Sequence, residues 1–150
     1  ALSADVSDAA ARIKQPLHTA KTYACVEGPR LGTRAESFFL RDSARCDLVG
    51  MTNVPEVFLA REAQMAYCTL CLVTDYDCWM DDPQEHVSVD KFFATYQDTL
   101  TKAQAVLTEL LKAPFRPTPD AVRHALASAV LTADDTLSDT QTAWLGVLRA

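Results

Sequence analysis

Glycine is scarce: Gly28, Gly32, Gly50 and Gly146 are the only four in 150 residues. A phosphate-cradling loop needs several glycines within one short turn, so nucleotide-binding loops of that kind are excluded. Basic clusters are missing too. Twenty Asp and Glu outweigh fourteen Lys and Arg, a formal charge of −6, and a nucleic-acid partner is not expected because a phosphate backbone is gripped by clustered cations. No apolar run nears the roughly 20 residues that a membrane helix requires; the longest lies around Ala66 to Val73. Residues 1–8 have neither the basic start nor the apolar middle of a signal peptide. The expectation is a soluble, cytoplasmic chain without a membrane partner. His18, His86 and His124 lack ligand or triad spacing and are expected at the surface.

The five cysteines, Cys25, Cys46, Cys68, Cys71 and Cys78, are odd in number and lie mostly in apolar segments. That suits reduced, buried thiols better than a disulfide framework. Cys68 and Cys71 form a C-x-x-C, which invites a redox or zinc reading, but in a strand they point to opposite faces and no second ligand pair completes a tetrahedral site. At this length, with 49% apolar and 23% charged residues, one domain with a real core is expected.

What is present centres on Cys68 to Trp79. The apolar run Leu70–Val73 stops at Thr74-Asp75-Tyr76-Asp77, as a buried parallel strand does when it delivers acids at its C-terminal end, where open α/β sheets place ligands. Asp75 and Asp77 leave one face if the extended chain continues. Two acids beside an apolar strand repel each other and are poorly solvated, which suits one of them to donate a proton near neutral pH. An acidic loop cap in water is the alternative.

Before this stretch the pattern predicts a helix over 3–14, a strand over 21–27, a helix over 33–42, a strand over 46–51, a helix over 55–65 and a third strand over 67–74. After it, an acidic loop over 80–85 leads to a long helix capped by Ser88 and running to about Lys112. The apolar residues of that helix, Val89, Phe92, Phe93, Tyr96, Leu100, Ala103, Leu107 and Leu110, predict one wide buried stripe. Prolines at 114, 117 and 119 break the chain before helices over 120–131 and 138–148. The alternation predicts an α/β fold with a mostly parallel sheet flanked by helices. Three strands are few for such a sheet, so the chain reads as the C-terminal part of a larger single domain.

Glu27-Gly28-Pro29-Arg30, Arg34-Ala35-Glu36-Ser37, Gly50-Met51-Thr52-Asn53-Val54-Pro55-Glu56 and Thr74-Asp75-Tyr76-Asp77-Cys78-Trp79, followed by Val87-Ser88-Val89-Asp90, resemble the trimeric purine nucleoside phosphorylase family, and within it the branch that cleaves methylthioadenosine. The resemblance covers roughly residues 20 to 100. It implies a mixed sheet with surrounding helices, a homotrimer, phosphate as co-substrate and, because phosphate itself is the nucleophile, no cofactor and no metal. It further implies Asp75 as the acid at purine N7, Asp77 as acceptor from the 6-amino group, and Thr74, Leu31 and Gly32 beside the base. Met51 is implied against the ribose and Thr52 at phosphate. Val89, Phe92 and Phe93 would line the 5′-substituent pocket, although all three could equally be core. Relatives acting on 6-oxopurines carry Asn in place of Asp75 and a base-reading Glu in place of Gly32. Phe92 and Phe93 replace smaller aliphatics, and Leu31 replaces a stacking aromatic. Arg30, Arg34, Glu36 and Glu56 are expected to be structural.

The leading expectation is phosphorolysis of 5′-methylthioadenosine or a related 6-aminopurine nucleoside together with an N-terminal fragment that brings the other phosphate ligands. A non-catalytic subunit of the same fold and a 6-oxopurine enzyme are the alternatives.

Overall fold

A computed structural model describes residues 1–82 and 88–148. The last part of the expected acidic loop, with His86 and Val87 of the quoted motif, lies outside them.

Helix α1 (Leu2–Arg12) is Ala-rich, with Asp5 in its first turn and Arg12 in its last, as the helix dipole favours. Its Val6, Ala9 and Ala10 face Val106 and Leu110 of α4 (Val89–Leu110). The two alanines let the helices approach closely, and these five side chains form the buried apolar cluster of the described residues. Arg12 Nε donates to Glu109 Oε1 at 2.8 Å across the same seam. Asp5, also buried, accepts from the Arg116 N–H at 3.2 Å and pairs with its guanidinium. Helix α4 begins where the sequence places it: the Ser88 hydroxyl accepts from the Lys91 N–H at 3.1 Å.

Strands β1 (Tyr23–Cys25) and β2 (Leu48–Gly50) pair in parallel, Tyr23 opposite Leu48 and Cys25 opposite Gly50. The crossover between them is α2 (Arg34–Phe38), capped by the Thr33 hydroxyl, which continues into a π-helical turn over Phe39–Ser43. Helix α3 (Glu56–Glu62) follows β2, and α5 (Asp120–Arg123), a 3₁₀ turn (Asp134–Thr136) and α6 (Asp139–Leu148) follow α4. Ser138 and Gln141 cap α6 reciprocally, the Ser138 N–H donating to Gln141 Oε1 at 2.9 Å and the Gln141 N–H to Ser138 Oγ at 3.4 Å.

The α/β alternation and the parallel pairing are as expected, but three expectations change. Residues 67–74 are not a third strand: they carry no ladder among the described residues. Side chains hold them instead. The Asn53 amide donates to the Thr69 hydroxyl at 3.0 Å, the Tyr67 hydroxyl to Glu56 at 3.1 Å, and Cys68 and Leu70 pack on the α1–α4 cluster. The predicted stripe of α4 is only partly covered: Val106 and Leu110 are buried, whereas Val89, Phe93 and Leu107 are exposed. The helix expected over 120–131 stops at Arg123 and gives way to turns, because no apolar face of it is buried and a short helix without packing is unstable.

The folded surface measures 11035 Å². A compact monomer of 16.5 kDa exposes about 7,500 Å². Large apolar side chains account for part of the excess, among them Phe58, Met65, Leu131 and Trp144.

Candidate active site

Both strands end beside glycines whose lack of a side chain is filled by a neighbour. A Cβ on Gly50 would lie 1.9 Å from the Tyr23 hydroxyl of β1, and a Cβ on Gly28 would lie 2.8 Å from the Met51 sulfur. Glycine at 50 leaves room for Tyr23 to cross the end of β2, and glycine at 28 leaves room for the Met51 thioether beside the chain beyond β1. The parallel bonding continues past the strand, the Val26 N–H donating to the Gly50 carbonyl at 2.9 Å. Met51 and Thr52 therefore leave β2 at a fixed place, where the chain turns toward α3.

Segment 67–74 carries Thr74, Asp75 and Asp77 to the same opening. A cleft of about 1150 Å³ lies there, and its walls include Met51, Thr52, Thr74, Asp75 and Asp77. Leu31, Gly32 and Phe92 border it as well, so these expected site residues share one cavity. The volume exceeds the 300–1,000 Å³ usual for small-ligand sites, and the cleft is open to solvent.

Val89 and Phe93 do not line the cleft and are 71% and 57% exposed. Successive helix positions diverge by about 100°. Phe92 stacks on Tyr96 at 6.3 Å and borders the cleft, Phe93 meets the Phe92 ring edge to face at 5.4 Å without reaching the cleft, and Val89 sits in the first turn beyond it. Leu31 is 87% exposed and touches the cavity only at its rim.

The two acids are better solvated than the sequence suggests. Asp75 is exposed and Oδ2 accepts from the Thr74 hydroxyl at 2.6 Å; Asp77 is half-buried and Oδ1 accepts from the Cys78 N–H at 2.8 Å. Neither is buried against an apolar strand. Glu36, by contrast, is locked. Arg30 donates to both of its oxygens at 2.7 Å, and those hydrogen bonds hold its carboxyl below the usual carboxylate range. Burial pushes the Cys68 and Cys71 thiols up, which keeps them protonated and argues against a redox pair. Among the described residues no cluster of His, Cys, Asp and Glu could hold a metal.

The sequence offered little sign of three further wall residues, Tyr23, Trp79 and Tyr96. Tyr23 sits in a strand and Tyr96 on a helical stripe, where aromatics are ordinarily core; Trp79 closes the acidic motif and could have been singled out there.

The family model described as the phosphorylase superfamily matches residues 1–113. The chain is 43% identical over 136 residues to the S-methyl-5′-thioadenosine phosphorylase of Thermosynechococcus vestitus, covering 88% of this chain and 46% of that one. To the corresponding protein of Rhodospirillum rubrum it is 39% identical over 133 residues, covering 87% and 45%. The chain thus spans about half the length of the curated relatives it matches. Among solved structures, a methylthioadenosine phosphorylase from an antarctic soil metagenomic library superposes with a TM-score of 0.82 at 35% identity, over 97% of this chain and 51% of that one. A variant of the adenosine/methylthioadenosine phosphorylase of Schistosoma mansoni in complex with adenine gives 0.71 at 28% identity, over 85% and 51%.

Proposed function

The chain belongs to the phosphorylase superfamily, and from that premise we propose that it forms the base- and ribose-binding part of an enzyme that phosphorolyses 5′-methylthioadenosine or a related 6-aminopurine nucleoside. The products are adenine and a 5-substituted ribose 1-phosphate. The observation that carries this reading is the meeting of Met51, Thr52, Thr74, Asp75 and Asp77 around one cleft.

In the reaction an oxygen of phosphate bonds to C1′ while the C1′–N9 bond breaks and its electron pair enters the purine. The sugar becomes oxocarbenium-like and the base gains negative charge, so a donor at N7 stabilises the transition state more than the ground state. Asp75 gives that proton, adenine leaves neutral, and the Thr74 hydroxyl orients the carboxyl through its 2.6 Å bond. Asp77 accepts from the 6-amino group and thereby selects against 6-oxopurines, whose O6 is itself an acceptor. Leu31 and Gly32 border the base, Met51 packs on the ribose and Thr52 contacts phosphate. Phosphate is the nucleophile and no cofactor takes part.

One hydroxyl is a weak site for a divalent anion without a basic partner. The excess exposed surface and the two-stranded sheet support a protomer completed by a further segment that supplies those cations and the missing strands. Such protomers assemble as a trimer in this reading.

Asp75→Asn tests it in the completed protomer. Turnover of adenine nucleosides should fall about 10²–10⁴-fold, the usual worth of a positioned acid, while the ratio for inosine-type substrates improves. Unchanged kinetics with methylthioadenosine would remove Asp75 from the chemistry. No adenine release by the unsubstituted protein would leave a non-catalytic binding subunit.

A further inference from the structure

The loop that carries both acids is fastened by two arginines of the β1–β2 crossover, Arg34 and Arg41, the second of which also borders the cleft. Arg34 Nη1 donates to the Cys78 carbonyl at 3.2 Å and Nη2 to Asp81 Oδ2 at 2.8 Å, so one guanidinium grips the loop on both backbone and side chain. The same guanidinium lies 4.9 Å from the centre of the Phe38 ring. Arg41, on the π-helical turn, is likewise 4.9 Å from Phe38 and stacks on Trp79 of the loop at 4.6 Å. The layers run loop, Arg41, Phe38, Arg34 and back to the loop, and close on themselves. Trp79 in turn meets Tyr76 edge to face at 5.8 Å, between the two acids.

The registration of Arg41 depends on the backbone. A π-helical turn adds a residue to the helical repeat and re-aims the side chains that follow it. Here the wide turn over Phe39–Ser43 holds Arg41 against both Phe38 and Trp79. The loop has few other anchors among the described residues: it has no ladder, Asp75 and Tyr76 are exposed, the Met80 N–H closes a turn on the Asp77 carbonyl at 3.0 Å, and Cys78 Sγ reaches the Gly32 carbonyl at 3.9 Å. An unladdered loop belongs to the low-stability end of a fold, so a clamp on it sets its position.

We propose that Arg34 and Arg41 are positioning residues for base recognition, a latch that sets the depth at which Asp75 and Asp77 stand in the cleft. The proposal rests on the reading of those acids as the purine ligands. Arg34 is matched to a bidentate grip, and lysine, a single point of charge, is not its equivalent.

The test uses the completed phosphorylase protomer and two readouts, one of which is independent of catalysis. In Arg34→Met, amide hydrogen exchange over residues 74–82 should quicken by about tenfold while exchange in α1 and α4 stays as it was. Adenine affinity and kcat/KM for the nucleoside should fall by about tenfold, with KM for phosphate unchanged, as expected when one side of the site is displaced. Arg34→Lys should recover part of the loss. If Arg34→Met loosens the whole fold, Asp81→Asn loosens the grip from the loop's side, and it should move the same peptide. Unchanged exchange over 74–82 in both variants would overturn the latch. Quickened exchange with unchanged adenine affinity and kcat/KM would overturn its role in recognition. An unsubstituted protein that neither binds adenine nor cleaves the nucleoside would instead overturn the function proposed above, while the exchange comparison would still decide whether the loop is held by the arginines.

Discussion

The α1–α4 seam and the β1–β2 cleft are built on opposite principles. At the seam, five apolar side chains are buried and the helices are stitched by Arg12–Glu109 and by Arg116 to the acids of α1. At the cleft, contacts are specific and mostly exposed: a tyrosine over a glycine, a methionine over another, and arginines stacked on aromatic rings. Burial gives stability at the seam and contributes little to it at the cleft. The difference teaches that the chemistry-bearing part of the chain is placed by local interlocks rather than by burial.

The largest expected separation of the two regions comes from the seam. Leu110→Ala removes a buried side chain and should cost about 2–4 kcal/mol in unfolding free energy, with the adenine dissociation constant unchanged. Urea titration and adenine binding on the same variant check it. A loss of binding equal to the loss of stability would mean that the regions are one cooperative unit.

The reverse experiment is Gly50→Ala. The new methyl collides with the Tyr23 hydroxyl, and overpacking of this kind costs about 1–3 kcal/mol. Because Met51 and Thr52 follow directly, the KM values for nucleoside and phosphate should both rise. Adding Tyr23→Ala should relieve the clash and restore part of both. If the double variant is no better than the single one, the collision is not what makes glycine necessary.

These two regions also differ in what could be read from sequence. The start of α4 was legible at Ser88 because a cap is a local bond, and both paired strands were legible from short apolar segments closed by glycine or proline. Residues 67–74 read as a strand because an apolar run looks the same whether it has a ladder or packs through alternate side chains; the partner is non-local. For the same reason nothing beside Gly50 announced Tyr23, which precedes it by a whole crossover. The motif residues of the cleft were legible as a family pattern. Their geometry was not: Phe93 fell outside the cleft because it is adjacent to Phe92 on a helix and so faces another way, and Val89 because it lies at the start of α4, beyond the cleft.

A finer probe of the cleft separates neighbouring rings. Phe92 borders the cavity and Phe93 does not, so Phe92→Leu should change the ratio of methylthioadenosine to adenosine turnover by about three- to tenfold, in the range that a few methylenes provide. Phe93→Leu should leave the ratio within about twofold, since its ring is exposed. Steady-state kinetics with both nucleosides decides this, and the opposite ranking would put Phe93 in the pocket.

The smallest effect is electrostatic and has one representative in each region. At the cleft's sheet, the Asp47 carboxylate accepts from the Thr22 N–H at 2.8 Å and from Lys21 at 3.0 Å, and these bonds hold it below the usual carboxylate range. At the seam, Lys112 and Arg12 do the same for Glu109. In both cases the folded state binds its proton less readily than the unfolded chain. The stabilisation is therefore complete above the unfolded carboxylate values, about 4, and is lost as pH falls through the lowered folded values. Solvent screens all these groups, so each contribution is small and weakens with added salt. Urea midpoints of Asp47→Asn and Glu109→Gln, measured beside the parent from neutral pH down to about 3, should lie below the parent's at neutrality and converge with it in acid. Local exchange then assigns each loss: Asp47→Asn should quicken amides of β1 and β2, and Glu109→Gln those of α1. A midpoint gap that persists undiminished in acid would mean that packing, not charge, is what these two carboxylates contribute.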